Sequence, residues 1–179
     1  MTMIEMLKKK LWQSPFRQWL LVTAVILLAI GGWFLKLESP EMESLKTQLQ
    51  ETITDQTGKK SNMDKERIEE ISLFSTSEGW NAKLVLNADK GFTMISTKQI
   101  MWEHAIAMLT HLSAMDQLND IFIFWLYPIK EGPDDGKEIS VMSFRVEKET
   151  RDQLIWENLE PSVLPDIALD YTQHPLLNE

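Results

Sequence analysis

The chain of 179 residues holds three histidines and no cysteine. Proton transfer or metal ligation at neutral pH would therefore rest first on His104, His111 and His174. His104 and His111 sit seven apart in a segment with helical periodicity, which puts them two turns apart on one face. That is about 10.5 Å along the axis, too far for one zinc ion whose ligands stand ~2 Å away. Neither Glu103 nor Asp116 repairs that geometry, so the pair reads as the polar flank of an amphipathic helix. His174 precedes Pro175 near the C-terminus and reads as a hydrogen-bonded end-anchor. The carboxylates Glu131, Asp134, Asp135 and Glu138 could hold calcium, but they lack the spacing of an EF-hand loop and read as solvated turn acids. Glu69 and Glu70 are adjacent on a strand and face opposite sides, so they form no acid/base pair. The seven glycines are scattered and form neither G-x-G-x-x-G nor a P-loop, and no G-x-S-x-G or H-E-x-x-H occurs. The expectation is a protein that is not an enzyme, with no catalytic residue, no cofactor and no metal site.

What remains chemically distinctive is aromatic. Trp12, Trp19, Trp33, Trp80, Trp102, Trp125 and Trp156 make seven tryptophans, a residue type used both in cores and at interaction hot spots. Trp102 falls off the main apolar stripe of its helix and is the candidate exposed partner contact. The run "IFIFWLYPI" from Ile121 is far too short for a membrane helix, which takes roughly 20 residues. It reads as a strand apolar on both faces, either covered on both sides or with one face offered to a partner or ligand. Phe122, Phe124 and Tyr127 are its candidate contact residues.

These side chains need elements to position them. "RIEEISLFS" and "WNAKLVLN" are strand-like and joined by the Gly-containing turn "TSEGW". Ser96-Thr97-Lys98-Gln99 fits a capping box, opening a helix to about Gln117 with the stripe Met101, Ala105, Met108, Leu112 and Met115. Residues 121–127 and 138–147 form an antiparallel hairpin around the loop "KEGPDDGK". Thr150-Arg151-Asp152-Gln153 fits a second capping box for a short helix halted by Pro161, and Pro165 starts another, with Ile167, Ala168 and Tyr171 on one side. The order β-β-α-β-β-α-α predicts an α+β domain over 66–179, a four-stranded, mostly antiparallel sheet with helices on one face. Upstream, Met42, Leu45, Leu49 and Ile53 stripe a helix from Pro40 to about Gln56. Residues 37–65 are read as a juxtamembrane helix and linker, a spacer with weak homodimerisation through 42–53 as its alternative.

The N-terminal part differs in kind. "QWLLVTAVILLAIGGWFL" covers 18 uncharged residues, about 27 Å as a helix, close to the thickness of a bilayer core. Trp19, Leu20, Ile26, Leu27 and Trp33 are the expected membrane-contacting residues of a signal-anchor over 18–36, with 1–17 as a cytoplasmic stub. A signal peptide cleaved near Ala29-Ile30-Gly31 is the alternative. Residues 1–36 hold five Lys and Arg against one Glu, and 37–179 hold 13 against 26 Asp and Glu. That asymmetry predicts a single-pass plasma-membrane protein with a cytoplasmic N-terminus and an extracytoplasmic C-terminal domain. The acidic balance argues against nucleic acid as a partner.

From "IFIFWLYPI" to "DYTQHPLL", Trp125, Trp156, Pro165, Ile167, Ala168, Tyr171 and His174 form a pattern: an apolar strand ending in aromatics, a second strand, a Trp-centred helix and a final Pro-x-Ile-Ala-x-x-Tyr-x-x-His run. In this C-terminal third to half the chain resembles uncharacterised small single-pass extracytoplasmic domain proteins of Gram-positive bacteria. The resemblance implies compartment and fold and carries over no activity.

Three functions follow as expectations. The first is a non-catalytic, membrane-anchored domain that works by protein–protein interaction with other proteins of a cell-envelope assembly. The second is a ligand-binding sensor or accessory domain that uses the aromatic sheet face. The third is a hydrolase, for which His104 or His111 would have to sit beside a buried carboxylate in a cleft.

Overall fold

The computed structural model describes residues 39–129 and 138–179. The chain divides into two compact units, Met1–Pro40 and Glu41–Glu179, and almost all described residues belong to the second. Helix α1 (Pro40–Thr57) opens on a proline, with Glu41 and Glu43 in its first turn, where neither the missing N–H nor negative charge is costly. Beyond its end Gly58 takes φ +81°, the left-handed conformation that closes helices. Leu45, Leu49 and Ile53 are all 0% exposed. The stripe expected of a spacer or dimer seam is therefore packed inside the chain's own core, and α1 is part of the domain.

Strands β1 (Ile68–Ser75) and β2 (Trp80–Asn87) form an antiparallel hairpin. Its turn closes through the Thr76 N–H donating to the Gly79 carbonyl at 2.8 Å. Helix α2 (Met94–Leu112) follows. Its capping box is Thr93 with Ser96, three residues before the expected Ser96–Gln99 box. Strands β3 (Leu118–Pro128) and β4 (Glu138–Val146) pair antiparallel. After β4 come the short helix α3 (Lys148–Gln153), two 3₁₀ turns, helix α4 (Leu164–Ile167) and strand β5 (Leu169–Gln173). No side chain caps α3 at its N-terminus, so the Thr150–Gln153 pattern does not act as a capping box.

The expected four-stranded, mostly antiparallel sheet is corrected to a five-stranded mixed sheet in the order β1-β2-β3-β4-β5. Two features account for the difference. First, β2 and β3 pair in parallel, because the connection through α2 is long enough to carry the chain back to the same end of the sheet. Second, residues 169–173, expected to prolong a helix after Pro165, form a strand on β4. The helix stops at Ile167, and Ala168 is extended at φ −87°, ψ 144°.

The transmembrane helix expected over 18–36, with Trp19, Leu20, Ile26, Leu27, Trp33 and the bilayer contact, lies outside the described residues. Among the described residues no helix is long and apolar enough to cross a membrane. The longer two are amphipathic: α1 carries Glu41, Glu43, Lys46, Glu51 and Asp55, and α2 carries Lys98, Glu103, His104 and His111. The single-pass, plasma-membrane, extracytoplasmic placement finds no support in this fold and is corrected to an α+β domain.

Residues paired across strands share a face of the sheet. Ile71, Leu84, Ile123 and Phe144 form one such row, and all four are buried in the core that the helices complete. The alternate residues lie on the other face.

Candidate functional site

That second face carries two rows across the sheet. One is Ser72, Lys83, Phe122 and Arg145; the other is Glu70, Val85, Phe124, Ser143 and Thr172. Phe122, Phe124 and Leu126 alternate along β3 with the fully buried Ile121, Ile123 and Trp125, and they remain half-exposed. Each phenylalanine has a cation above it. The Lys83 ammonium lies 5.8 Å from the Phe124 ring centroid, and the Arg145 guanidinium lies 5.9 Å from that of Phe122. Cations at such distances are attracted to ring faces.

Both cations are held by carboxylates. Lys83 pairs with Glu70 at 3.1 Å. Arg145 reaches Asp120 at 3.0 Å, Glu147 at 2.8 Å and Asp170 at 3.0 Å. Hydrogen bonds from Ser72 and Lys83 hold the Glu70 carboxyl below its usual range. Asp120 and Asp170 raise the Arg145 pKa still further. The result is an apolar centre with a rim of paired charges of both signs. Phe74, 55% exposed, extends it toward the β1 edge.

The structure therefore unites Phe122 and Phe124 and separates the other candidates. Tyr127 is on the helix side, 8% exposed, with its hydroxyl bonded to Thr97 and its pKa raised by burial. Trp102 is half-buried on α2, and its indole N–H donates to the Tyr171 hydroxyl at 3.0 Å. It fastens β5 to α2, and Lys98 lies 5.3 Å from its ring centroid. Trp125 and Trp156 are core residues, 0% and 3% exposed.

The histidines are dispersed. His111 is exposed in the last turn of α2. His174 accepts the Leu176 N–H on Nδ1 at 3.3 Å, capping the final 3₁₀ turn. His104 lies beside a largely buried carboxylate, with Nδ1 at 3.7 Å from Asp89 Oδ2. That distance is beyond a hydrogen bond. Asp89 is committed elsewhere, to Arg67 at 2.8 Å and to the Asn62 N–H at 2.6 Å. His104 Nδ1 has no hydrogen-bond partner. A histidine base requires an orienting acid and a nucleophile within hydrogen-bond reach, and here Asp89 serves Arg67 instead. No group of three or more metal-ligating side chains occurs among the described residues. Glu138 pairs with Lys65; Glu131, Asp134 and Asp135 lie outside the described residues.

Two buried arginines went unread in the sequence, where each sits among polar neighbours like a surface residue. Arg67 ties the 60s loop to residues 87–89. Arg151 donates to the carbonyls of Leu112, Leu118 and Asn119, joining the end of α2 to the start of β3.

A cavity of about 620 Å³ opens at the start of α2, lined by Asn62, Met63, Lys90, Gly91, Phe92, Ser96 and Ile100. None of the open-face residues lines it. Compared with known proteins, the chain matches no protein-family model, no curated protein and no solved structure.

Proposed function

We propose that this chain is a non-catalytic protein-binding domain whose partner docks on the open face of the sheet, centred on Phe122 and Phe124. The observation that carries the reading is the pair of half-exposed phenylalanines in the middle strand, on the face opposite the helices. An aromatic centre with arginine beside it and a charged rim is the anatomy of a protein interface. Phe122, Phe124 and Leu126 supply apolar area, while Lys83, Glu70, Arg145 and Asp170 set register and exclude mismatched surfaces. A small ligand favours a concave site, and neither Phe122 nor Phe124 lines the cavity at the start of α2. The reading requires no membrane placement.

The test is site-specific photocrosslinking in cells that express the full chain. A benzophenone amino acid replaces Ser143 on the open face or Gln153 on α3. The expected outcome is one discrete protein adduct from position 143, absent from position 153 and lost in a Phe122→Ser, Phe124→Ser variant that retains its far-UV spectrum. No adduct from position 143, or the same adducts from both positions, overturns the reading.

A further inference from the structure

The two edges of the sheet are not equivalent. Strand β5 has five residues, and Asp170 within it takes φ +53°. A short, kinked edge is a poor template for another strand. Strand β1 has eight residues and no proline, and its one irregularity falls at its start, between Ile68 and Glu70. Among the described residues it pairs only with β2. Among the described residues no backbone or side-chain hydrogen bond reaches the outer rim of Ile68–Ser75. At the start of that rim lies a groove of about 250 Å³, walled by Gln50 and Thr54 of α1 and by Lys59, Glu66 and Ile68.

We infer that β1 accepts an extended, basic segment of a partner protein as a sixth strand, laid along this rim. Every second residue of β1 has an N–H and C=O directed away from β2, and an added strand satisfies them with main-chain bonds that need no particular sequence. The flanking charge supplies selectivity. Glu51, Asp55, Glu66 and Glu69 are exposed along α1 and β1 and outnumber Lys59, the one cation in the groove wall. A second copy of the chain is the competing occupant. The net charge of −9 per chain sets two copies against one another and favours a cationic strand. Phe74, exposed at the far end of β1, offers an apolar contact to the incoming segment.

The experiment uses the full chain and a blocked peptide of alternating Lys and Val, as long as the eight residues of β1, with an alternating Glu-Val peptide as control. Binding is read by anisotropy at low ionic strength and by residue-resolved amide exchange. The expected result is binding of the Lys-Val peptide alone, with new protection at every second amide of β1. Affinity falls about tenfold, about 1.4 kcal/mol, in a Glu66→Lys, Glu69→Lys variant. The Phe122→Ser, Phe124→Ser variant keeps full peptide binding, which separates this site from the open face. Absence of binding, equal binding of the Glu-Val peptide, or binding without alternating protection in β1 overturns the inference. So does protection that rises with protein concentration in the absence of peptide, which marks a second copy as the occupant.

Discussion

The Arg67 guanidinium meets the Asp89 carboxylate at 2.8 Å, with 2% of the arginine side chain and 14% of the aspartate exposed. The same guanidinium donates to the Asn87 carbonyl at 2.6 Å. Charges so enclosed are costly to desolvate and tolerable only while paired. Arg67→Met strands Asp89 and is expected to cost about 3–5 kcal/mol in urea unfolding. The double variant Arg67→Met, Asp89→Leu, which removes both charges, is expected to recover much of that loss. A double variant no more stable than Arg67→Met would show that the ion pair is not what makes the single change costly.

His104 should give the domain a pH-dependent stability. Burial, and then the nearby Arg67 charge, lower its pKa below 6.5, and Asp89 opposes them only in part. The folded chain therefore holds His104 neutral where the unfolded chain already binds a proton. By linkage, this contribution is fully present above about pH 6.5 and is lost as pH falls from there through the folded pKa. Urea titrations of wild type and His104→Gln between pH 7.5 and 5 are expected to diverge in slope below 6.5, with the variant flatter. Parallel curves would remove His104 as the cause.

Helix α1 should behave as core. Leu49 is 0% exposed, and Leu49→Ala is expected to cost about 2–5 kcal/mol. Phe92, at 106% relative exposure, touches little, and Phe92→Ser should change stability by less than about 0.5 kcal/mol. A Leu49→Ala effect as small as that of Phe92→Ser would mean α1 can leave the sheet freely.

Two glycines should respond differently to a methyl group. Gly79 has φ +141°, and a Cβ there would run into the Gln117 carbonyl. Gly58 has φ +81°, and its nearest neighbour would be the Lys60 carbonyl oxygen at an ordinary 3.6 Å. Gly79→Ala is expected to lose about 1–3 kcal/mol or more by thermal unfolding, and Gly58→Ala distinctly less. Equal losses would rule out steric conflict at Gly79 as the difference.

Parts of this architecture are written plainly in the chain and parts are not. The α2 stripe of Met101, Ala105, Met108 and Leu112 repeats often enough to declare a helix, and all four residues are buried. The helix start is less plain, because Ser96-x-x-Gln99 matches the capping consensus better than the Thr93-x-x-Ser96 pair that caps it. In "IFIFWLYP" both faces are apolar, so periodicity announces a strand without saying which face meets the helices. That choice puts Phe122 and Phe124 outside and Tyr127 within, and it depends on pairing with β2 and β4. Strand β5 is hidden because five residues after a proline-led turn carry too little alternation to outweigh a helical reading. Arg67 and Arg151 look like surface cations until the fold closes over them, since their partners are mostly backbone carbonyls distant in sequence.

The parallel ladder between β2 and β3 also bears on how the chain folds. The hairpins β1–β2 and β3–β4 each close between neighbouring segments. The ladder that joins them pairs Ala82 with Ile121 and Leu86 with Trp125, across an intervening stretch that includes all of α2. Pairings of such sequence separation carry a loop-closure cost and slow folding. Of the ladders in this sheet, the seam between the hairpins is thus the one that closes the longest loop. A chain cut between residues 88 and 93 would leave the β1–β2 hairpin without the tether that brings it to the rest of the sheet.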